Sequence, residues 1–142
     1  MDGLRALKLN GIRSVISLEG SPSEIDFEMK SVQEAGMNFL AYPMSPLRRP
    51  PEAQMHKILK NLGNSDLYPI FIHCKQGKDR TGLMVALFRV KQQKWSPRDA
   101  YLEMMGDGFN PIYLGLLRAF KQESGGESLA FSDVFPYTVY AR

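Results

Sequence analysis

The chemically most suggestive part of the chain is residues 73–82, HCKQGKDRTG, which include the only cysteine among the 142 residues. The preceding YPIFIH is an apolar run typical of a strand buried on both faces, and the following TGLMVALF is typical of a helix. A glycine-containing loop before a helix N-terminus directs backbone N–H groups toward an anion. The helix terminus and the three cations of the loop are expected to lower the pKa of the thiol. The segment therefore predicts a nucleophilic thiolate beside an anion-binding loop.

The spacing of this loop favours phosphate over other ligands. Arg80 lies six positions after Cys74, so its guanidinium can return over the loop and hold two phosphate oxygens. A Walker A loop is excluded, because it needs glycine, lysine and a hydroxyl residue in another order. A rhodanese-like sulfur carrier also places a cysteine after a strand, but the interval that contains Gly77 fits a phosphate better.

HCKQGKDRTG resembles the His-Cys-x5-Arg-Thr/Ser-Gly signature of the cysteine-dependent tyrosine and dual-specificity phosphatase superfamily. The resemblance extends to GIRSVISL, AGMNFLAYPM and GLMVALFRVKQQKWSPRDAYLEM, and it covers roughly residues 4–122. These segments are similar to compact bacterial and plant or fungal atypical dual-specificity phosphatases that act on inositol phosphates. The resemblance implies a cysteine-dependent phosphatase that uses neither a metal nor a cofactor. Residues 73–82 are called the signature segment below.

The resemblance also implies a role for individual residues of the signature segment. Cys74 would attack phosphorus and form a phosphocysteine intermediate. Arg80 would bind the equatorial oxygens together with the backbone N–H groups of residues 75–80. Thr81 would hydrogen-bond the thiolate, and His73 would order the loop by bonding to backbone.

The sequence contains no obvious general acid that could protonate the leaving group. Many members of the superfamily carry an aspartate on the loop after the second strand, but YPMSPLRRPP contains no acid. Asp79 is the candidate acid, since a Lys-Asp-Arg string also occurs in a bacterial branch resembling lipid phosphatases. The alternative is that Asp79 pairs with Arg80 or Lys78 and orders the loop, because adjacent cations favour an ionised carboxylate. Asp107 and Asp26 are weaker candidates, and a good leaving group would need no acid.

The charges near the signature segment favour a substrate that carries several phosphates. Both lysines of the loop occupy positions that are also lysine in 3-phosphoinositide phosphatases. Two arginines of the loop 45–51 are expected to face the site, although solvated surface charge explains them equally well. Inositol phosphates or phosphoinositides are therefore the expected substrates, with phosphoproteins as the alternative. The candidate substrate-binding residues are Lys75, Gln76, Gly77, Lys78, Arg48 and Arg49.

Two other classes of protein remain as alternatives. A phosphate-binding module without turnover would explain the missing loop acid, but the intact Cys74, Arg80 and Thr81 argue against it. An arsenate reductase also uses Cys-x5-Arg, but it generally recruits further cysteines, and this chain has none.

The composition is typical of one globular domain, with 44% hydrophobic and 23% charged residues. The net charge of +3 is too small to indicate nucleic-acid binding. No apolar run approaches the ~20 residues of a membrane span, so no integral membrane segment is expected. A single reactive thiol favours a reducing compartment such as the cytoplasm. The chain opens directly on a helical pattern, DGLRALKLNG, which suggests a preceding segment that this sequence lacks.

The predicted order of elements is helix–strand repeated three times and then helices, which indicates an α/β single domain. Its central, mostly parallel sheet would be flanked by helices. We predict a phosphatase domain over residues 1–124 and a tail over 125–142. The predicted strands are 12–18, 37–44 and 68–74, and the predicted helices after the first are 24–34 with Ser23 as N-cap, 51–64, 81–93, 97–105 and 111–124.

Overall fold

The computed structural model describes residues 2–125, so nearly all of the predicted tail lies outside the described residues. The chain divides into two compact units. The sheet unit contains the residues up to Ser45 together with Pro51–Gly77. The helical unit contains Pro46–Pro50 together with the described residues from Lys78 onward. The division of the chain falls inside the signature segment.

The sheet unit follows the predicted alternation of helices and strands. It begins with α1, and each strand is followed or preceded by a helix of two to four turns. The elements are α1 (Asp2–Leu9), β1 (Ser14–Ser17), α2 (Pro22–Glu34), β2 (Asn38–Ala41), α3 (Glu52–Leu62), a 3₁₀ turn (Ser65–Leu67) and β3 (Ile70–His73).

The three strands form a parallel sheet in the order β2-β1-β3. Ser17 at the end of β1 is in register with Ala41 of β2 and His73 of β3. The carboxyl ends of all three strands therefore lie along one edge, the edge at which ligands bind in open parallel sheets. Every residue of β1 is buried, as a central strand requires.

The predicted burial of β3 on both faces is wrong. Phe71 is 38% exposed, and its neighbours in the strand are only partly buried. In the described part of the chain β3 pairs with β1 alone, so it forms an edge of the sheet.

The helical unit consists of three helices beyond the short segment 46–50. They are α4 (Arg80–Lys91), α5 (Pro97–Gly106) and α6 (Leu114–Glu123). α4 packs against both α5 and α6 through an apolar core. Fully buried members of this core are Leu83, Met84, Leu87, Leu116, Leu117 and Phe120.

Most helix boundaries agree with the predictions to within two residues, but α6 begins at Leu114, three residues later than predicted. At α5 the Ser96 hydroxyl accepts the N–H of Asp99, and Pro97 occupies the first turn as predicted. α2 begins earlier than predicted, because Ser21 rather than Ser23 is its N-cap and Pro22 opens the helix. No helix among the described residues is long and apolar enough to cross a membrane.

Candidate active site

The signature segment has the strand–loop–helix context that its sequence predicts. β3 ends at His73 and α4 begins at Arg80. Cys74 is buried, whereas residues 75–78 are exposed. Gly77 has φ +70°, a left-handed conformation that residues with a side chain rarely adopt. The backbone of the turn thus requires a glycine at position 77.

On the strand side, His73 is held through both of its ring nitrogens. Its Nε2 lies 2.6 Å from Oε2 of Glu28 on α2. Its Nδ1 lies 3.3 Å from the carbonyl oxygen of Cys74. The ring also stacks on Phe71, with 5.5 Å between ring centroids. The resemblance led us to expect the backbone contact of His73, whereas the contact with Glu28 was not expected.

On the helix side, Asp79 is bound to the turn formed by residues 107–110. Its Oδ1 accepts the backbone N–H of Asn110 at 2.8 Å, and its own carbonyl accepts the N–H of Leu83 in the first turn of α4. The same turn contains Gly108, at φ +104°, where an added Cβ would lie 2.9 Å from Cδ of Lys78. The turn 107–110 therefore packs directly on residues 78–79.

Thr81 has an unusual environment for a hydroxyl. It is 8% exposed, and its Oγ1 is buried without a hydrogen-bond partner among the described residues. An unsatisfied buried polar group costs about 1–3 kcal/mol, so most such groups are paired. An unpaired hydroxyl at this position is a candidate for a functional role.

The two loop lysines are not engaged in structural ion pairs. Lys75 and Lys78 are exposed, and neither forms a hydrogen bond or salt bridge with any residue from 2 to 125. Gln76 is also exposed. These side chains are accessible to an anionic ligand.

The two arginines of residues 46–50, called the basic segment, differ in whether their side chains have partners. Arg49 donates from Nε to Oε1 of Gln122 at 2.8 Å, and its Nη2 lies 3.5 Å from a carboxylate oxygen of Glu123. Arg48 is exposed and pairs with none of the described residues. The backbone of both arginines lies so close to Gly115 of α6 that a Cβ there would be 2.6 Å from the Arg49 nitrogen. α6 thus fixes the basic segment.

The weaker candidates for the acid are both exposed. Asp26 lies on α2, and Asp107 is the C-cap of α5. Neither forms a hydrogen bond or ion pair through its side chain with the described residues, and nothing in their surroundings indicates catalysis.

Residues 3–105 match a family model whose description is "Tyrosine phosphatase family". The chain belongs to this family. The superfamily predicted from the signature segment is thereby confirmed.

Similar curated proteins include phosphatases of two kinds. Over 59 residues the chain is 36% identical to the dual specificity protein phosphatase TpbA of Pseudomonas aeruginosa, covering 41% of this chain and 27% of TpbA. Over 123 residues it is 33% identical to the inositol diphosphatase DSP3 of Arabidopsis thaliana, covering 80% of this chain and 59% of DSP3. The chain therefore spans about a quarter of the length of TpbA and about three fifths of the length of DSP3.

Solved structures confirm the predicted α/β fold class. A putative phosphatase from Shewanella putrefaciens superposes with a TM-score of 0.73 at 21% identity, covering 88% of this chain and 79% of the other. The crystal structure of P. aeruginosa TpbA gives 0.70 at 20% identity, covering 90% and 81%. The core catalytic domain of the PP-IP phosphatase SIW14 from S. cerevisiae gives 0.64 at 22% identity, covering 87% and 79%.

Proposed function

We propose that this chain hydrolyses phosphomonoesters through a phosphocysteine on Cys74, and that its substrates are inositol phosphates or phosphoinositides. The observation that carries the proposal is the intact signature segment at a strand–loop–helix transition, in a chain that belongs to the tyrosine phosphatase family. In this segment Cys74 directly follows β3, and Arg80 is the first residue of α4.

The proposed reaction has two steps. In the first, the Cys74 thiolate attacks phosphorus, a P–S bond forms, and the P–O bond to the leaving alcohol breaks. In the second, water attacks the phosphocysteine, inorganic phosphate leaves, and the thiolate is regenerated. Arg80 supplies two N–H donors and a positive charge for the oxygens that gain charge in each transition state. The N-terminal end of α4 adds backbone N–H groups.

Thr81 is proposed to donate its hydroxyl hydrogen to the sulfur as the thiolate leaves in the second step. The support for this role is that its buried Oγ1 has no partner elsewhere in the described residues. Because the Thr81 hydroxyl is already buried, it could stabilise the leaving thiolate without first losing bound water.

Asp79 is proposed as the acid that protonates the leaving oxygen. Its Oδ1 is fixed by Asn110, while Oδ2 forms no hydrogen bond with a described residue and can carry a proton. The alternative, an ordering role, is favoured by the same bond to Asn110. Asparagine and alanine substitutions at Asp79 separate these two roles, as described in the Discussion.

The preference for polyphosphorylated inositols is supported by charge and by one relative. Lys75, Lys78 and Arg48 are exposed cations without partners among the described residues, so each is available to attract a polyanion. DSP3, which is similar over most of this chain, is an inositol diphosphatase. TpbA, described as a dual specificity protein phosphatase, supports phosphoproteins as the alternative substrates.

The decisive experiment is phosphate release by the 142-residue chain from a panel of substrates. The panel contains inositol hexakisphosphate, an inositol pyrophosphate, a phosphoinositide and a phosphotyrosine peptide, with Cys74→Ser as the matched control. We expect turnover of the inositol substrates and its loss in Cys74→Ser. Phosphotyrosine as the best substrate would favour the phosphoprotein alternative. Phosphate binding without turnover of any substrate would indicate a binding module.

A further inference from the structure

The contact between Glu28 and His73 has no role in the reaction as proposed so far. Glu28 lies on α2, 45 positions before His73 in the sequence, and the two side chains are 21% and 20% exposed. Their 2.6 Å separation is short for a hydrogen bond that involves a ring nitrogen. A largely buried, charge-assisted bond at this distance fixes both partners.

The hydrogen-bond acceptors around His73 determine which of its ring nitrogens carry protons. Nδ1 faces the carbonyl oxygen of Cys74, which can only accept a hydrogen bond. Nε2 faces Oε2 of Glu28, which also accepts when the carboxylate is ionised. A proton on Nδ1 lets the ring donate to the Cys74 carbonyl, while the carboxyl group of Glu28 holds the ring at Nε2.

We propose that Glu28 is a positioning residue for the nucleophile, acting through His73. It holds the imidazole in place at Nε2, so that Nδ1–H donates to the carbonyl of Cys74 and fixes the peptide group that bears the nucleophile. This inference rests on the proposed role of Cys74, but two of its tests do not require turnover.

The other groups near the ring do not provide this contact. Glu19 and Glu24 line the same surface groove as Glu28 and His73, together with Ser23 and Phe27, yet neither carboxylate hydrogen-bonds the imidazole. Phe71 contributes its stacked ring and no proton acceptor. Glu28 is therefore the single acidic partner of Nε2 among residues 2–125.

Glu28→Ala tests the inference, because alanine removes the partner of Nε2 on His73. Glu28→Gln is the conservative variant, since its amide can donate an N–H to Nε2 and keep the ring in place with Nδ1–H on the Cys74 carbonyl. Glu52→Ala is the matched control, because Glu52 lies 3.9 Å from His56, the only other histidine, on the exposed face of α3.

The first two measurements are independent of substrate. Nitrogen-15 NMR of the two histidine side chains reports which ring nitrogen carries a hydrogen-bonded proton, with His56→Gln giving the assignment. We expect a hydrogen-bonded Nδ1–H on His73 in the wild type and in Glu28→Gln, and its loss in Glu28→Ala. Alkylation of Cys74, the only thiol, by iodoacetamide should slow severalfold in Glu28→Ala and remain unchanged in Glu28→Gln and Glu52→Ala.

The third measurement is turnover of whichever substrate proves best. We expect kcat to fall roughly tenfold in Glu28→Ala with little change in KM, since misplacement of a reacting group affects the chemical step, and to stay near the wild-type value in Glu28→Gln. A His73 without a hydrogen-bonded Nδ1–H in the wild type, or wild-type alkylation and kcat in Glu28→Ala, would overturn the inference. If no substrate is hydrolysed, the NMR and alkylation results still decide it, so its failure and that of the proposed function remain distinguishable.

Discussion

Each end of the signature segment is held by one carboxylate. At the strand end this carboxylate is Glu28, which lies on α2. At the helix end it is Asp79, which belongs to the segment itself. Glu28 contacts a side chain, the imidazole of His73, at 2.6 Å. Asp79 accepts a hydrogen bond from a backbone N–H, that of Asn110, at 2.8 Å. Between these two anchors along the chain, residues 75–78 are exposed.

This difference determines what a substitution at each end can reveal. A change at Glu28 alters the support of Cys74 and leaves every charge of residues 74–80 in place. A change at Asp79 removes a negative charge from the segment itself and can also release the turn 107–110. The effect of a Glu28 substitution on activity therefore reports the positioning of Cys74. The effect of an Asp79 substitution combines charge, proton transfer and positioning.

The largest expected effect is at Asp79. Two substitutions there separate its proposed proton transfer to the leaving group from its hydrogen bond to Asn110. Asp79→Asn keeps an oxygen that can accept the Asn110 N–H, but it cannot donate a carboxylic proton. If Asp79 is the acid, we expect kcat for an inositol phosphate to fall about 100-fold in both Asp79→Asn and Asp79→Ala. The measurement is steady-state phosphate release with wild type and both variants side by side.

A substrate with a good leaving group provides the control for this prediction. With p-nitrophenyl phosphate the acid is scarcely needed, so both variants should retain most of the wild-type kcat. If Asp79→Asn instead behaves as the wild type on both substrates and only Asp79→Ala loses activity, the carboxylate is an anchor like Glu28, and its proposed proton transfer is wrong.

The next largest effect is expected at Gly115, which fixes the basic segment within the helical unit. A Cβ there would lie 2.6 Å from the nitrogen of Arg49 and 2.7 Å from the carbonyl carbon of Arg48. Backbone atoms cannot move aside as a flexible side chain can, so Gly115→Ala should lower the free energy of unfolding by about 2–3 kcal/mol. Urea denaturation followed by circular dichroism measures the loss.

Gly106→Ala is the matched control for Gly115, because an added Cβ at Gly106 meets no atom within 4 Å. Replacing glycine near the end of α5 should leave stability unchanged or raise it slightly. An equal loss of stability in both variants would show that close approach to the basic segment is not the cause.

The third prediction uses two neighbouring arginines that carry the same charge. Arg49→Ala removes the bonds to Gln122 and Glu123 and should lower the free energy of unfolding by about 1 kcal/mol. Arg48→Ala should leave stability unchanged and raise KM for a polyphosphorylated inositol severalfold at low salt, with a smaller effect at high salt. Unfolding curves and KM at two ionic strengths provide the measurements. Equal effects of the two substitutions on KM would show that only net charge matters.

The smallest expected effect is at Tyr68, which precedes β3 in the sheet unit. Its hydroxyl donates to the carbonyl of Leu62, and burial raises the pKa of Tyr68 above its ordinary value of 10.0. Because the folded-state pKa is the higher one, the contribution to stability is complete below about pH 10 and is lost as pH rises through the folded-state pKa. Tyr68→Phe should lower the free energy of unfolding by roughly 0.5 kcal/mol at pH 7. Denaturation at pH 7 and at alkaline pH tests this, since a difference that grows with pH would contradict it.

The local features of the fold could be predicted from the sequence because they are encoded by neighbouring residues. The apolar run before Cys74 and the glycine after it specify the strand and the turn, and the pattern after Arg80 specifies α4. The burial of β3 was overestimated, because an apolar run does not show whether a strand has one neighbour or two.

The anchors of the signature segment could not be predicted, because each joins residues distant in sequence. Glu28 and His73 are 45 positions apart, Asp79 and Asn110 are 31 apart, and Arg49 and Gln122 are 73 apart. In the sequence Glu28 is one of several charges along an amphipathic helix, with nothing to distinguish it. Only the tertiary arrangement shows which of these polar side chains has a partner.

The single buried thiol has a consequence for oxidative chemistry. A peroxide that converts the Cys74 thiolate to a sulfenic acid would leave it next to no second thiol, because these 142 residues contain no other cysteine. An internal disulfide, the usual protection against further oxidation, cannot form within this chain. Recovery would depend on an external thiol such as glutathione, and the 7% exposure of Cys74 would control the rate of that rescue.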